Sequence, residues 1–99
     1  MYNSEIRHNT VGSVTVNTTS NAHGAWFYGI FNPFGRTDII SNNLIGSTTT
    51  ANSIQLTSPC TGATSQLLHG IENGGGNVLI SGNTISNLTN GAQTLNTSQ

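Results

Sequence analysis

The chain has 99 residues, enough for one domain, and Asn, Thr, Ser and Gly supply 14, 15, 11 and 12 of them, which leaves too few apolar side chains for a globular core of packed helices. The charged residues are Glu5, Arg7, Arg36, Asp38 and Glu72, with no lysine; that is too little charge for a typical disordered chain and too few cations for a phosphate-binding surface, so nucleic acid is excluded as a partner. No apolar run is long enough to span a bilayer.

In chain order, the opening residues Met1-Tyr2-Asn3-Ser4-Glu5 lack the basic and hydrophobic regions of a signal peptide, so either export is arranged otherwise or the natural start is missing. EIRHNTVGS (Glu5 to Ser13) then reads as a first short strand and SVTVNT (Ser13 to Thr18) as a second. A loop of about residues 17–25 follows, and Tyr28-Gly29-Ile30-Phe31-Asn32 forms a third strand closed by the turn Pro33-Phe34-Gly35. The same order returns. IISNNLIGS (Ile39 to Ser47), SIQLTS (Ser53 to Ser58), a loop of about residues 57–66, His69-Gly70-Ile71-Glu72-Asn73 and the turn Gly74-Gly75-Gly76 make the second round. LISGNTISN (Leu79 to Asn87) and AQTLNT (Ala92 to Thr97) begin a third. Each stretch is short, β-branched and bounded by Gly, Asn or Ser, which argues for strands rather than helices.

The repeat has a fixed internal phase. Ile6, Ile40 and Ile80 each stand three residues before Asn9, Asn43 and Asn83, and Val11, Ile45 and Ile85 stand two after them. The asparagines are 34 and then 40 residues apart. Self-similarity at such a period points to stacked structural repeats, here with three strands to each coil. Coils spaced by about 4.8 Å place equivalent positions above one another. Isoleucine over isoleucine then fills the interior, while asparagine tolerates the left-handed backbone of a corner and its amide pairs with the asparagine above in a ladder. The inward positions are Ile6, Val11, Val16, Ile30, Ile40, Ile45, Ile54, Leu56, Ile71, Ile80, Ile85 and Leu95.

GIENGGGNVLISGNTISN (Gly70 to Asn87) resembles the repeat of the right-handed parallel β-helix family, the pectate-lyase-like superfold, and GIFNPFGRTDIISNNLIGS (Gly29 to Ser47) is a looser copy. The resemblance implies an all-β solenoid of about two and a half to three coils, approximately 3–36, 37–76 and 77–99, forming a single partial domain over 1–99 of a longer solenoid. It also implies an extracellular or cell-surface setting. It leaves function open, because the family holds lyases, hydrolases, epimerases, adhesins and phage tailspikes. Open strand edges and uncapped interior at both ends call for neighbouring coils of a longer parent chain or for self-association.

The candidates for chemistry are few. Lyases of this fold typically hold calcium with several acidic residues and its hydrolases cluster aspartates, whereas Glu5 and Asp38 should point to opposite faces and Glu72 sits on another strand. His8, His23 and His69 belong to different parts of the coil without metal-ligand spacing. The triple glycine lacks the Lys-Ser/Thr of a phosphate loop. Cys60 is alone, so no internal disulfide forms, and nothing near it in sequence would stabilise a thiolate. No cofactor or metal is implied. Trp26, Phe27, Tyr28, Phe31 and Phe34 crowd one strand and its turn. Their default role is to fill or cap the interior; if instead a carbohydrate or partner contact exists, Trp26 and Phe31 are its candidates. The column Glu5, Ile39, Leu79 hints at a covered outer face. The expected function is a structural or binding segment, adhesin-like or carbohydrate-associated, without catalysis of its own. The alternative is part of a polysaccharide lyase or glycoside hydrolase whose active site lies elsewhere.

Overall fold

The computed structural model describes residues 3–19, 24–34, 37–58, 66–92 and 97–98. These residues are all-β, with no helix among them. The strands are β1 (Asn3–Arg7), β2 (Thr10–Val11), β3 (Val14–Asn17), β4 (Trp26–Asn32), β5 (Thr37–Ser41), β6 (Leu44–Gly46), β7 (Ile54–Ser58), β8 (Gln66–Asn73), β9 (Val78–Ser81), β10 (Thr84–Ser86), β11 (Leu88–Ala92) and β12 (Thr97–Ser98).

They form four three-stranded sheets, ordered β1-β5-β9, β2-β6-β10, β3-β7-β11 and β4-β8-β12. Every pairing is parallel. The chain therefore visits the four sheets in one order, three times over, and the second pass (β5 to β8) lies in the middle of each sheet. Register partners are Ile6, Ile40 and Ile80 in the first sheet; Val11, Ile45 and Ile85 in the second; and Val14, Ile54 and Leu88 in the third. In the fourth, Phe27 faces Leu68 and Ile30 faces Ile71.

Side chains from all four sheets meet in one apolar cluster, Ile30, Ile40, Ile45, Ile54, Leu56 and Leu68. Five of these six belong to the second pass, because only that pass is covered on both sides. Along a single column the effect is plain: Ile40 is 0% exposed and Ile80 46%. Part of this interior escapes the sequence pattern: Val14, Ala25, Val78 and Leu88 pack against the cluster and are not among the expected inward positions. Leu68 is buried as well, because β8 starts at Gln66, where the sequence suggests the end of a loop. Leu95, Cys60, His23 and most of the two expected loops lie outside the described residues.

The asparagine segment is two strands instead of one, so each pass holds four strands and not three. Residues Asn9, Asn43 and Asn83 sit at the bend between them. The left-handed conformation belongs to the residue before each: His8 (φ 54°), Asn42 (φ 55°) and Gly82 (φ 65°). These are residue types to which that region is accessible. The bend is thus made one residue earlier than expected, which leaves the following asparagine free to aim its amide along the column.

That amide does directional work. The backbone N–H and Nδ2 of Asn9 both donate to Asn43 Oδ1, each at 3.0 Å. Those of Asn43 donate to Asn83 Oδ1, each at 2.9 Å. Nδ2 of Asn43 also donates to the Ile6 carbonyl at 2.9 Å, and Nδ2 of Asn83 to that of Ile40 at 2.8 Å. Buried polar groups at the bend are satisfied by the neighbouring pass, so packing and hydrogen bonding enforce the same register.

Candidate functional site

The fourth sheet carries the chemically distinctive surface. Along β4, Trp26 and Tyr28 stand two residues apart and share the outward face, while Phe27 turns inward onto the cluster. Simple alternation would send Phe31 inward with Phe27. It fails at Gly29, where the backbone presses against the interior: a Cβ there would lie 2.6 Å from both Ile45 Cγ2 and the Gly70 carbonyl oxygen. Gly70, one pass on, meets Ile85 in the same way, at 2.8 Å. Only glycine allows this approach. Ile30 then takes the inward position, 7% exposed, and Phe31 emerges on the same side as Tyr28.

The outcome is a compact outward group. Tyr28 and Phe31 stack with centroids 5.0 Å apart and an interplanar angle of 27°. His69, the register partner of Tyr28, meets its ring edge-on at 5.2 Å and 87°. His69 Nδ1 lies 2.7 Å from Glu72 Oε2, and Glu72 is the register partner of Phe31. Trp26 is 62% exposed and Phe31 57%. Phe34, in the adjoining turn, is also exposed. The default of interior filling is therefore overturned for Trp26, Phe31 and Phe34 and holds for Phe27. For Phe31 the physical reason is the glycine, which breaks the two-residue period; Trp26 is outward by ordinary alternation from Phe27, and Phe34 lies in the turn beyond the strand.

Chemically, the face offers apolar rings flanked by a carboxylate and an imidazole that hydrogen-bond each other. Rings so exposed can stack against the C–H faces of sugars or against another apolar surface. Glu72 accepts, and His69 donates or accepts according to its tautomer.

The remaining candidates are placed apart from this face. Glu5 pairs with Arg7 at 3.0 Å on the exposed side of β1, a contact that contributes little. Asp38 is buried, and its carboxylate accepts from the Ser4 backbone N–H at 3.1 Å and from Asn32 Nδ2 at 3.2 Å. Glu5 and Asp38 thus face opposite ways. Asn32 Nδ2 also donates to Asn73 Oδ1 at 3.0 Å. This makes a second asparagine column beside the turns, and its signal was present in the alignment of Tyr28–Asn32 with His69–Asn73. Gln66 is fully buried, and its Nε2 donates to Asn90 Oδ1 at 2.8 Å; no repeat in the sequence marks it. His8 is exposed at the first bend. In the outer column, Leu79 is 58% exposed, so nothing among the described residues covers it. Among the described residues no three His, Cys, Asp or Glu side chains gather as metal ligands. A cleft of about 450 Å³ opens at the third pass, lined by Leu68, Gly70, Ile71, Ile85 and Leu88 among others.

No protein-family model, curated protein or solved structure matches the chain.

Proposed function

We propose that the chain is a right-handed parallel β-helix of about three coils, serving as a structural and binding segment of a secreted or surface-exposed protein, with carbohydrate as the ligand of the Trp26–Phe31 face. Three passes through four parallel sheets in unchanged order support the solenoid. Crossovers between parallel strands of one sheet are overwhelmingly right-handed, which supports the hand. The pectate-lyase-like resemblance of Gly70 to Asn87 agrees with both. The bared apolar interior at Ile80 and Ile85 supports contact with neighbouring coils of a longer parent chain or with further copies.

The single observation that carries the binding role is the exposure of Trp26 and Phe31, 62% and 57%, on one side of one sheet. Two large aromatics exposed on one face, Phe31 turned outward by the close approach at Gly29, are poorly explained by stability, since removing exposed side chains costs within about 0.5 kcal/mol. The test is binding of the folded chain to a panel of neutral and acidic glycans, with and without calcium. Binding is expected, and the combined substitutions Trp26→Ala and Phe31→Ala are expected to abolish it while leaving the melting midpoint unchanged. Retained binding in that variant would remove the face from the account. Cleavage of any glycan by the chain would replace the scaffold reading with an enzymatic one.

A further inference from the structure

The unequal spacing of the repeat has one local cause. Val11 and Ile45 are register partners 34 residues apart, whereas Val14 and Ile54 are 40 apart. Six extra residues, 47–52, therefore enter the second pass at the corner between the second and third sheets. The first pass turns that corner with Gly12 and Ser13, and the third has only Asn87 between β10 and β11. The fold does not need the excursion. Residues 48–52 are exposed, so ordering them costs chain entropy that little burial offsets. Insertions confined to one repeat of a stack map to loops that often form its binding face.

The excursion is nonetheless held in one shape. Ser47 Oγ accepts from the backbone N–H groups of Thr49 and Thr50, at 3.1 and 2.9 Å. Asn52 takes the left-handed conformation (φ 55°), and its Oδ1 accepts from Thr89 Oγ1. Asn87 Nδ2 donates to the Ser47 carbonyl at 2.6 Å. Both feet of the loop are thus tied to the third pass. On its other side, toward the first pass, the loop walls a cleft of about 330 Å³. Thr10 and Leu44 form one flank of it, Gly12 and Ser13 another, and Thr50 and Ser53 the loop side. Thr10 and Leu44 precede the inward Val11 and Ile45, so the cleft opens on the outside of the corner. It lies between two passes of the chain itself.

Its polar groups are uncommitted. Ser53 is 7% exposed; its Oγ accepts from the Ser13 backbone N–H at 3.3 Å, and no described residue accepts its proton. The side-chain hydroxyls of Thr10, Ser13 and Thr50 have no partner among the described residues. No charged side chain lines the cleft. A carboxylate or ammonium group entering it would lose water with no opposite charge in its place. Hydroxyls both donate and accept, so the matching ligand is uncharged and carries hydroxyls of its own. The volume is at the small end of ligand pockets, about 300–1,000 Å³, and suits one ring, not a chain.

We infer that this cleft seats a single neutral pyranose ring, either a free sugar or the end of a glycan. Ser53 donates to a ring hydroxyl, and Thr10, Ser13 and Thr50 donate or accept around it. The site lies on a different sheet from the Trp26–Phe31 face and does not rest on the reading of that face.

The test is nuclear magnetic resonance titration of the full chain with the methyl glycosides of glucose, galactose and mannose. At least one is expected to give saturable shifts in the amides of Gly12, Ser13, Gly46, Thr50 and Ser53, with glucuronate weaker by about tenfold or more. Deleting residues 47–52 joins Gly46 to Ser53 and copies the Gly12-Ser13-Val14 corner of the first pass. That variant is expected to keep the parallel strand contacts and lose binding. Thr10→Val with Thr50→Val, both at exposed positions, needs no deletion and is expected to weaken binding about tenfold. Trp26→Ala with Phe31→Ala is expected to leave these shifts unchanged, so the two sites fail separately. A trisaccharide of the bound sugar distinguishes the sources: equal affinity supports a seat for chain ends, and exclusion a seat for free sugar. The inference is overturned by the absence of saturable shifts with all three glycosides, by equal binding of glucuronate, or by undiminished binding in the deletion or the double valine variant.

Discussion

Replacing Asn43 with leucine is expected to lower stability by about 3–4 kcal/mol, roughly 12–30 °C in melting midpoint for a domain of this size. Asn43 is 2% exposed and sits at the centre of the ladder. Its Oδ1 accepts from Asn9 N and Nδ2, its Nδ2 donates to the Ile6 carbonyl and Asn83 Oδ1, and its backbone N–H needs Asn83. Leucine matches the volume and removes all of the side-chain bonds, leaving the Ile6 carbonyl and the Asn9 N–H without their partners around a position that is itself 2% exposed. Each orphaned buried group costs about 1–3 kcal/mol. Asn9→Leu is the control, since Asn9 is exposed and water can replace what it loses; its expected cost is about 1 kcal/mol. Urea unfolding at one fixed protein concentration measures both, and equal costs for the two would contradict the ladder as a source of stability.

The second large effect lies in the isoleucine column. Ile40→Ala is expected to cost about 3–4 kcal/mol and Ile80→Ala about 1 kcal/mol, although the two residues are register partners and the substitution is identical. The difference follows from position. Ile40 is enclosed by a pass on either side and its truncation leaves a cavity, whereas Ile80 is already 46% exposed and its truncation leaves a surface that water fills. Denaturant midpoints of both variants, again at matched concentration, decide it. An Ile80→Ala variant as unstable as Ile40→Ala would mean that the third pass is covered in solution.

Much of this arrangement was legible in the sequence, for a reason particular to repeated structure. Ile6, Ile40 and Ile80 keep one distance from Asn9, Asn43 and Asn83, and a residue pair that recurs at fixed phase in short β-branched segments has few explanations other than parallel pairing in register. Strand content was equally plain from Val, Ile and Thr bounded by Gly and Asn. What escaped notice depends on exceptions to period two. The bend divides the asparagine segment into β1 and β2, β5 and β6, β9 and β10, and a three-residue strand does not announce itself in a pattern. The left-handed position is filled by His8, Asn42 and Gly82, three different residue types, so no identity marks it, whereas the invariant asparagine next door draws attention to itself. Leu68 was missed because its strand begins earlier than the Gly-Ile motif.

The outward aromatics show the same limit. Phe27, Tyr28 and Phe31 crowd one strand in the sequence, and alternation sends Phe27 and Phe31 to the same side. Gly29 reverses that assignment, and the reason is three-dimensional: Ile45, sixteen residues away, occupies the space that a side chain at position 29 would need. The recurrence of glycine at 70, against Ile85, was the available hint. The His69–Glu72 contact could be anticipated only once both were known to lie on one outward face.

Nuclear Overhauser contacts between backbone protons report on the parallel, in-register pairing of the three passes. Amide-to-α contacts are expected to link the strands of Ile6 with Ile40 and of Ile40 with Ile80, with none linking Ile6 to Ile80, which lie two strand spacings apart, about 9.6 Å. Short α-to-α contacts between any of these strands, the mark of antiparallel pairing, would contradict it.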